Sequence, residues 1–195
     1  MWKAFLAGLF VCASLGAGSA DAVSFETRDF DALAREADQV VVGTMVAKDS
    51  RRTGEREIVT DYRFDDLKVV KGNVNGLTLT LTMLGGTVGT ESLVIAGAPT
   101  FNRGSRYLLF VSGNGSVMFP LVGGNQGIFQ MRKDEASGVT RVRDHAGRPV
   151  TRLPGLAGRN IDVDAGADAG ETVTETAFID AIRSRNATAR AGVEK

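Results

Sequence analysis

The apolar positions of this chain change period several times, and each change marks an element. Phe30, Leu33, Ala34 and Ala37 fall at i, i+3, i+4 and i+7, one face of a short helix. Thr27 or Asp29 supplies its N-cap. The segment QVVVGTMVAK, Gln39 to Lys48, is almost continuously apolar and rich in Val, which predicts a strand covered on both faces. The polar DSRRTGERE that follows, with Gly54 at its tip, reads as a hairpin loop. In IVTDYRFDDLKVV the pattern slips phase: Ile58, Tyr62 and Phe64 share one parity, Leu67 and Val69 the other. A β-bulge repairs such a slip, and Asp65-Asp66 is its expected place.

LTLTLTM alternates strictly, with Leu77, Leu79 and Leu81 inward and the threonines outward. The glycine-rich GGTVGTESLVIAGAPTF, Gly85 to Phe101, links it to RYLLFVS, and SLVIAG within the link reads as a short edge strand. SVMFPLV and GIFQMR predict two more strands, set off by the turns SGNG (Ser112 to Gly115) and GGNQ. Pro120 confines the first of these to an edge or interrupts it. VTRVRDHAGRPVTRL reads as a loose hairpin around His145 to Gly147. IDVDAGADAGETV lacks large apolar groups and reads as a linker. Thr172 and Glu175 then fit a capping box, opening a helix whose apolar face is Phe178, Ala181 and Ile182. The expected core is Val40, Val42, Val46, Tyr62, Phe64, Leu77, Leu79, Leu81, Leu108, Phe110, Phe119 and Phe129. Bulged, strongly bent strands of this kind belong to small closed barrels.

The beginning of the chain fits none of these periods. MWKAFLAGLFVCASLGAGSADA has a positive Lys3, an apolar stretch from Ala4 to Leu15 and an A-x-A signal at Ala20-Asp21-Ala22. It predicts a secretory signal cleaved between Ala22 and Val23. The apolar run is shorter than the about 20 residues that span a bilayer, so no membrane insertion is expected once the signal is removed. Cys12, the single cysteine, lies inside the signal, and Val11 before it argues against lipidation. The expected mature protein is periplasmic or secreted, of bacterial type, and held by its core rather than by disulfides.

Charge and chemistry narrow the function classes. The 195 residues carry 23 Lys and Arg against 23 Asp and Glu, which disfavours a nucleic-acid binder. The glycine loop lacks the lysine of a phosphate-binding loop, and a β-like segment rather than a helix follows it. His145 is the only histidine, too few for a histidine-based zinc site, and no G-x-S-x-G elbow appears. In DVDAGADAGETV, Asp162 and Asp164 fit the first and third ligands of a calcium loop, but Gly166, Ala167 and Val173 break the motif. The carboxylate pairs Asp65-Asp66 and Glu55/Glu57 do not converge on a strand. No catalytic residue, metal or cofactor is assigned.

Taken in order, ADQVVVGTMVAK after a short helix, a bent strand ending in KVVKGN, LTLTL, GAPTFNRGSRYLLFV and GGNQGIFQM resemble the OB-like barrel of netrin-like and tissue-inhibitor-of-metalloproteinases modules. They also resemble a set of exported bacterial proteins with the same pattern and a C-terminal amphipathic helix. The resemblance covers roughly Ala37 to Met131. It implies a mainly β fold, an OB-like five- to six-stranded barrel with a short N-terminal helix and a C-terminal helix after a linker. Metalloproteinase inhibitors begin with a cysteine that reaches the target's zinc; this chain has none there, so no inhibitory residue carries over.

The expected organisation is a signal at 1–22, the barrel with its helix at 23–135, and a hairpin-like extension at 136–161. An acidic linker at 162–171, a helix at 172–186 and a disordered tail at 187–195 complete it. The expected function is an exported, non-catalytic binding module for a protein or peptide partner in the cell envelope, protease-related by analogy only. A hydrolase with a site at the barrel rim is the alternative. OB-like barrels bind through rim loops, which points to Arg51, Arg52 and Arg56 in one loop and Thr87, Thr90, Glu91 and Phe101 in the other.

Overall fold

The computed structural model describes residues 27–151 and 172–193. The expected signal with its Ala22–Val23 cleavage point and the acidic linker lie outside the described residues. The chain is mainly β: one six-stranded antiparallel sheet, a two-stranded ribbon and two α-helices.

Helix α1 (Phe30–Glu36) starts where expected, because the Asp29 carboxylate accepts from the Ala32 N–H and caps it. Its last carbonyls, Ala34 and Arg35, accept from the Lys71 ammonium, which satisfies groups that a helix end leaves open. Strands β1 (Gln39–Arg52) and β2 (Ile58–Lys71) form a long hairpin. Strand β3 (Leu79–Leu84) pairs with β2 on one side. Strand β6 (Arg106–Val111) pairs with the first half of β1 on the other. Strands β7 (Ile128–Lys133) and β8 (Thr140–Asp144) complete the sheet in the order β3-β2-β1-β6-β7-β8. Between β3 and β6, β4 (Gly86–Val88) and β5 (Glu91–Leu93) make the separate ribbon. Among the described residues no ladder joins β3 to β8, so the sheet is open in its hydrogen bonding.

The phase slip in β2 is the bulge that the sequence predicts. Thr44 pairs with Asp65 and Val42 with Lys68, leaving Gly43 opposite both Asp66 and Leu67. Asp66 takes a left-handed φ of 53°. A Cβ on Gly43 would lie 2.7 Å from Leu67 Cδ2 and 3.2 Å from Phe64 Cβ, so a larger residue there would make the Leu67 side chain shift. Arg106 holds the bulge from the β6 side by donating to the Asp66 carbonyl and carboxylate.

Each face of the sheet buries its own core. On one face Val40, Val42, Leu108, Phe110, Met131 and Val142 meet α1 and α2 (Glu175–Val193). Phe178 is fully buried there, edge-on to Phe30 with ring centroids 5.1 Å apart and against Phe129 at 4.8 Å. Arg185 closes this face by stacking over Phe30 and pairing with Asp31. On the other face Val41, Met45, Tyr62, Phe64, Leu79, Leu81, Tyr107 and Leu109 pack under the loops that follow β3 and β6. The clean alternation of β6, with Tyr107, Leu109 and Val111 on one side and Leu108 and Phe110 on the other, divides the two.

Several expectations change. Leu77 is 88% exposed, because the ladder begins only at Leu79 and the turn before it lies outside the sheet. Met83 takes the third inward position instead. Val46 and Phe129 are only partly buried. SVMFPLV is not a strand: it folds back from a turn at Gly113, whose carbonyl accepts from Ser116 and Val117. It then bridges the sheet ends, with Leu84 N–H donating to the Met118 carbonyl and Val122 N–H to Phe110. The expected GGNQ turn is present, as a 3₁₀ turn over Gly124–Gly127 (GNQG). Thr174, not Thr172, caps α2, accepting from the Ala177 N–H, and the helix continues past Asn186 to Val193.

Candidate functional site

The hairpin β1–β2 outruns its neighbour. Strand β6 stops pairing at Thr44, where the Gly104 N–H donates to the Met45 carbonyl and the chain turns away. The outer half of the hairpin, up to the tip at Thr53–Glu57, therefore has β2 paired with β3 and β1 left without a second neighbour strand. The β4–β5 ribbon lies against this outer half.

A small polar network seats the ribbon. Thr60 is buried, the Ser50 and Thr60 hydroxyls share a hydrogen bond of 2.9 Å, and the Thr60 hydroxyl donates to the Gly85 carbonyl at 2.6 Å. The Gly85 N–H donates to the Ile58 carbonyl at 2.7 Å. Gly86, at φ 139°, passes so close that a Cβ would sit 2.3 Å from Thr60 Oγ1 and 2.5 Å from Ser50 Oγ. Gly86 thus serves the close approach of the ribbon to β1 and β2.

Arg52 completes the junction. One guanidinium nitrogen pairs with Glu91 on the ribbon and another donates to the Glu55 carbonyl at 2.7 Å. Arg51 pairs with Asp61 at 2.9 Å on the strand surface. Burial opposes ionisation of Asp61, but the bonds from Arg51 and Thr82 outweigh it and hold its pKa below the usual carboxylate range. Arg56 and Thr90 are exposed at the two tips, and Thr87 Oγ1 shares a hydrogen bond with Ser92 across the ribbon.

Of the seven expected recognition residues, Arg52 and Glu91 thus meet, and Arg51, Arg56, Thr87 and Thr90 lie on the same hairpin and ribbon. Phe101 does not: it is buried in the second core, edge-on to Tyr62, Phe64 and Tyr107 with centroids 5.1–5.2 Å apart. The loop returns to the sheet at Pro99–Phe101, and its large apolar ring goes inward with it. Ser50, Thr60 and Asp61 escape a reading of the chain because their partners lie ten or more positions away.

Asp144 lies at the β8 turn, where burial raises its pKa but bonds from Arg148 lower it further. His145 is exposed beside it. Among the described residues no group of three or more His, Cys, Asp or Glu is placed to hold a metal ion, and no helix is long and apolar enough to cross a membrane. Comparison of the chain with models of protein families, with curated proteins and with solved structures finds no match to any of them.

Proposed function

We propose that this chain is an exported, non-catalytic binding module that engages a protein or peptide partner in the cell envelope through the paired tips of β1–β2 and β4–β5. The observation that carries the reading is the docking of one tip on the other. Two loops separated along the chain by strands β2 and β3 are held as one surface by the Ser50–Thr60–Gly85 network and by the Arg52–Glu91 pair. A pre-formed surface lowers the ordering cost of association. Its exposed groups, Arg56, Glu57, Thr87, Thr90 and Ser92, are charged or hydroxylic, which suits a polar partner.

The strand order supports an OB-like barrel as the frame. Five of the six strands, β3-β2-β1-β6-β7, with β1 paired to both its sequence neighbour and the fourth long strand, follow the order of such a barrel, with β8 added along the free edge of β7. The segment after β6 covers the second core, its Met118 carbonyl accepting from the Leu84 N–H at the end of β3. In that frame the β1–β2 tip is a rim loop, the usual binding position.

A photo-crosslinking side chain placed at Thr90 or Arg56, with Glu135 as the control position, tests the proposal in envelope extract. A protein adduct formed from the tips and absent from Glu135 is the expected result. Equal labelling from all three positions, or none from the tips, overturns it.

A further inference from the structure

At the opposite end of the β1–β2 ladder lies a groove of about 400 Å³, within the range of small-ligand sites. Its walls are the start of β1, the β2–β3 turn and the turn that follows β6. We propose that it binds a short neutral carbohydrate.

The lining carries the argument. Leu79 and Val111 are buried and Val74 is partly buried, giving an aliphatic floor. Amides and hydroxyls stand above it. Gln39 donates through Nε2 to the Asn73 carbonyl at 2.6 Å, and Asn114 through Nδ2 to the Thr80 carbonyl at 2.8 Å. Both side-chain carbonyl oxygens are thereby left to accept from a ligand. The side chains of Asn73, Asn75 and Thr78 make no hydrogen bond to the protein among the described residues. An amide offers a donor and an acceptor side by side, which matches neighbouring sugar hydroxyls, each of which both donates and accepts. The floor suits the C–H face of a sugar ring.

Charge selects against other ligands. Asp38 is the one charged side chain in the lining, and Ser112 Oγ and the Gly113 N–H already hold its carboxylate at 3.0 and 2.9 Å. Lys71, next along the chain from the turn, spends its ammonium on the end of α1. A phosphate or carboxylate ligand would find the Asp38 carboxylate in the lining, whereas the Lys71 charge, which acts on Asp38 itself, is held at the α1 carbonyls and does not line the groove. An extended peptide would need the outer edge of β3, where Asn114 has taken the Thr80 carbonyl. The walls are also set in advance: a Cβ on Gly72, at φ 77°, would lie 2.4 Å from the Asp38 carbonyl oxygen, so the turn sits hard against β1.

The inference is independent of the tip surface. An amide NMR titration of the purified full chain tests it, with cellobiose, maltose and diacetylchitobiose as neutral probes and with glucuronate and tetra-alanine as competitors. Saturable shifts confined to residues 38–39, 73–80 and 111–114 are expected with at least one neutral sugar. Asn75→Ala combined with Thr78→Val should weaken binding by about tenfold or more, with the unfolding midpoint unchanged. Glu135→Gln, in the exposed β7–β8 turn, should leave it unaltered. The proposal is overturned by absence of saturable shifts with all three sugars, by shifts lying elsewhere, or by equal binding of glucuronate or tetra-alanine.

Discussion

Thr60 is a buried hydroxyl in β2, and its two hydrogen bonds explain its burial. Thr60→Val keeps the shape and deletes both bonds, leaving the Gly85 carbonyl without its hydroxyl donor. The expected loss is about 1–3 kcal/mol in urea unfolding, with faster amide exchange in Thr87–Glu91. Unaltered stability would show that the network contributes little to seating the ribbon. Asp38 acts at the other end. The Gly113 N–H, then the Ser112 hydroxyl, hold its pKa below the ordinary value. A depressed folded-state pKa means that the stabilisation is complete above the unfolded value, about 3.9, and fades as pH falls through the folded one. Asp38→Asn should therefore cost roughly 0.5 kcal/mol at pH 7, as befits an exposed site, and the cost should shrink towards acid. Parallel melting curves for the two proteins from neutral to acid pH would contradict this.

The elements differ in how openly the chain declares them. Helix α1, the β1–β2 hairpin with its bulge, β6 and β7 are all legible, because each rests on local period and on Gly or Asp at defined places. The apolar face of α2 is legible for the same reason, and it stands on a long-range contact that can be checked. Phe178→Ala removes a fully buried ring from between Phe30 and Phe129 and should cost about 3–5 kcal/mol. A loss below 1 kcal/mol in chemical denaturation would mean that α2 is not docked on the sheet. What the chain hides is non-local. Leu77 continues an alternation that the ladder does not reach, and SVMFPLV has the composition of a strand but spends its backbone on Leu84 and Phe110 from a turn. Phe101 illustrates the same limit at the site: a large ring in a glycine-rich loop is a surface anchor or a core plug according to where the loop returns, and only the fold decides.

At the scale of the molecule, the sheet is a wall between two cores, and this has a measurable consequence. Phe178 contacts Phe30 and Phe129 on the helical face, whereas Phe101 contacts Tyr62, Phe64 and Tyr107 on the other. The two rings share no aromatic partner and belong to separate clusters. Substitutions at sites that share no partners add to within about 0.5 kcal/mol when the whole unfolds as one unit. Phe101→Leu and Phe178→Leu, singly and together, should therefore show additive losses with an unchanged denaturant slope. A fall in the slope of the double variant, or two separate transitions, would instead show that the helical layer and the loop-covered layer unfold apart. The distinction bears on function. Both proposed surfaces are built from strand ends and turns that depend on the shared strand β1, so a cooperative sheet keeps the tips and the groove in fixed relation. In the cooperative case a ligand seated in the groove should raise the unfolding midpoint of the Phe178→Leu protein as much as that of the unsubstituted chain, because binding stabilises the one folded state they share.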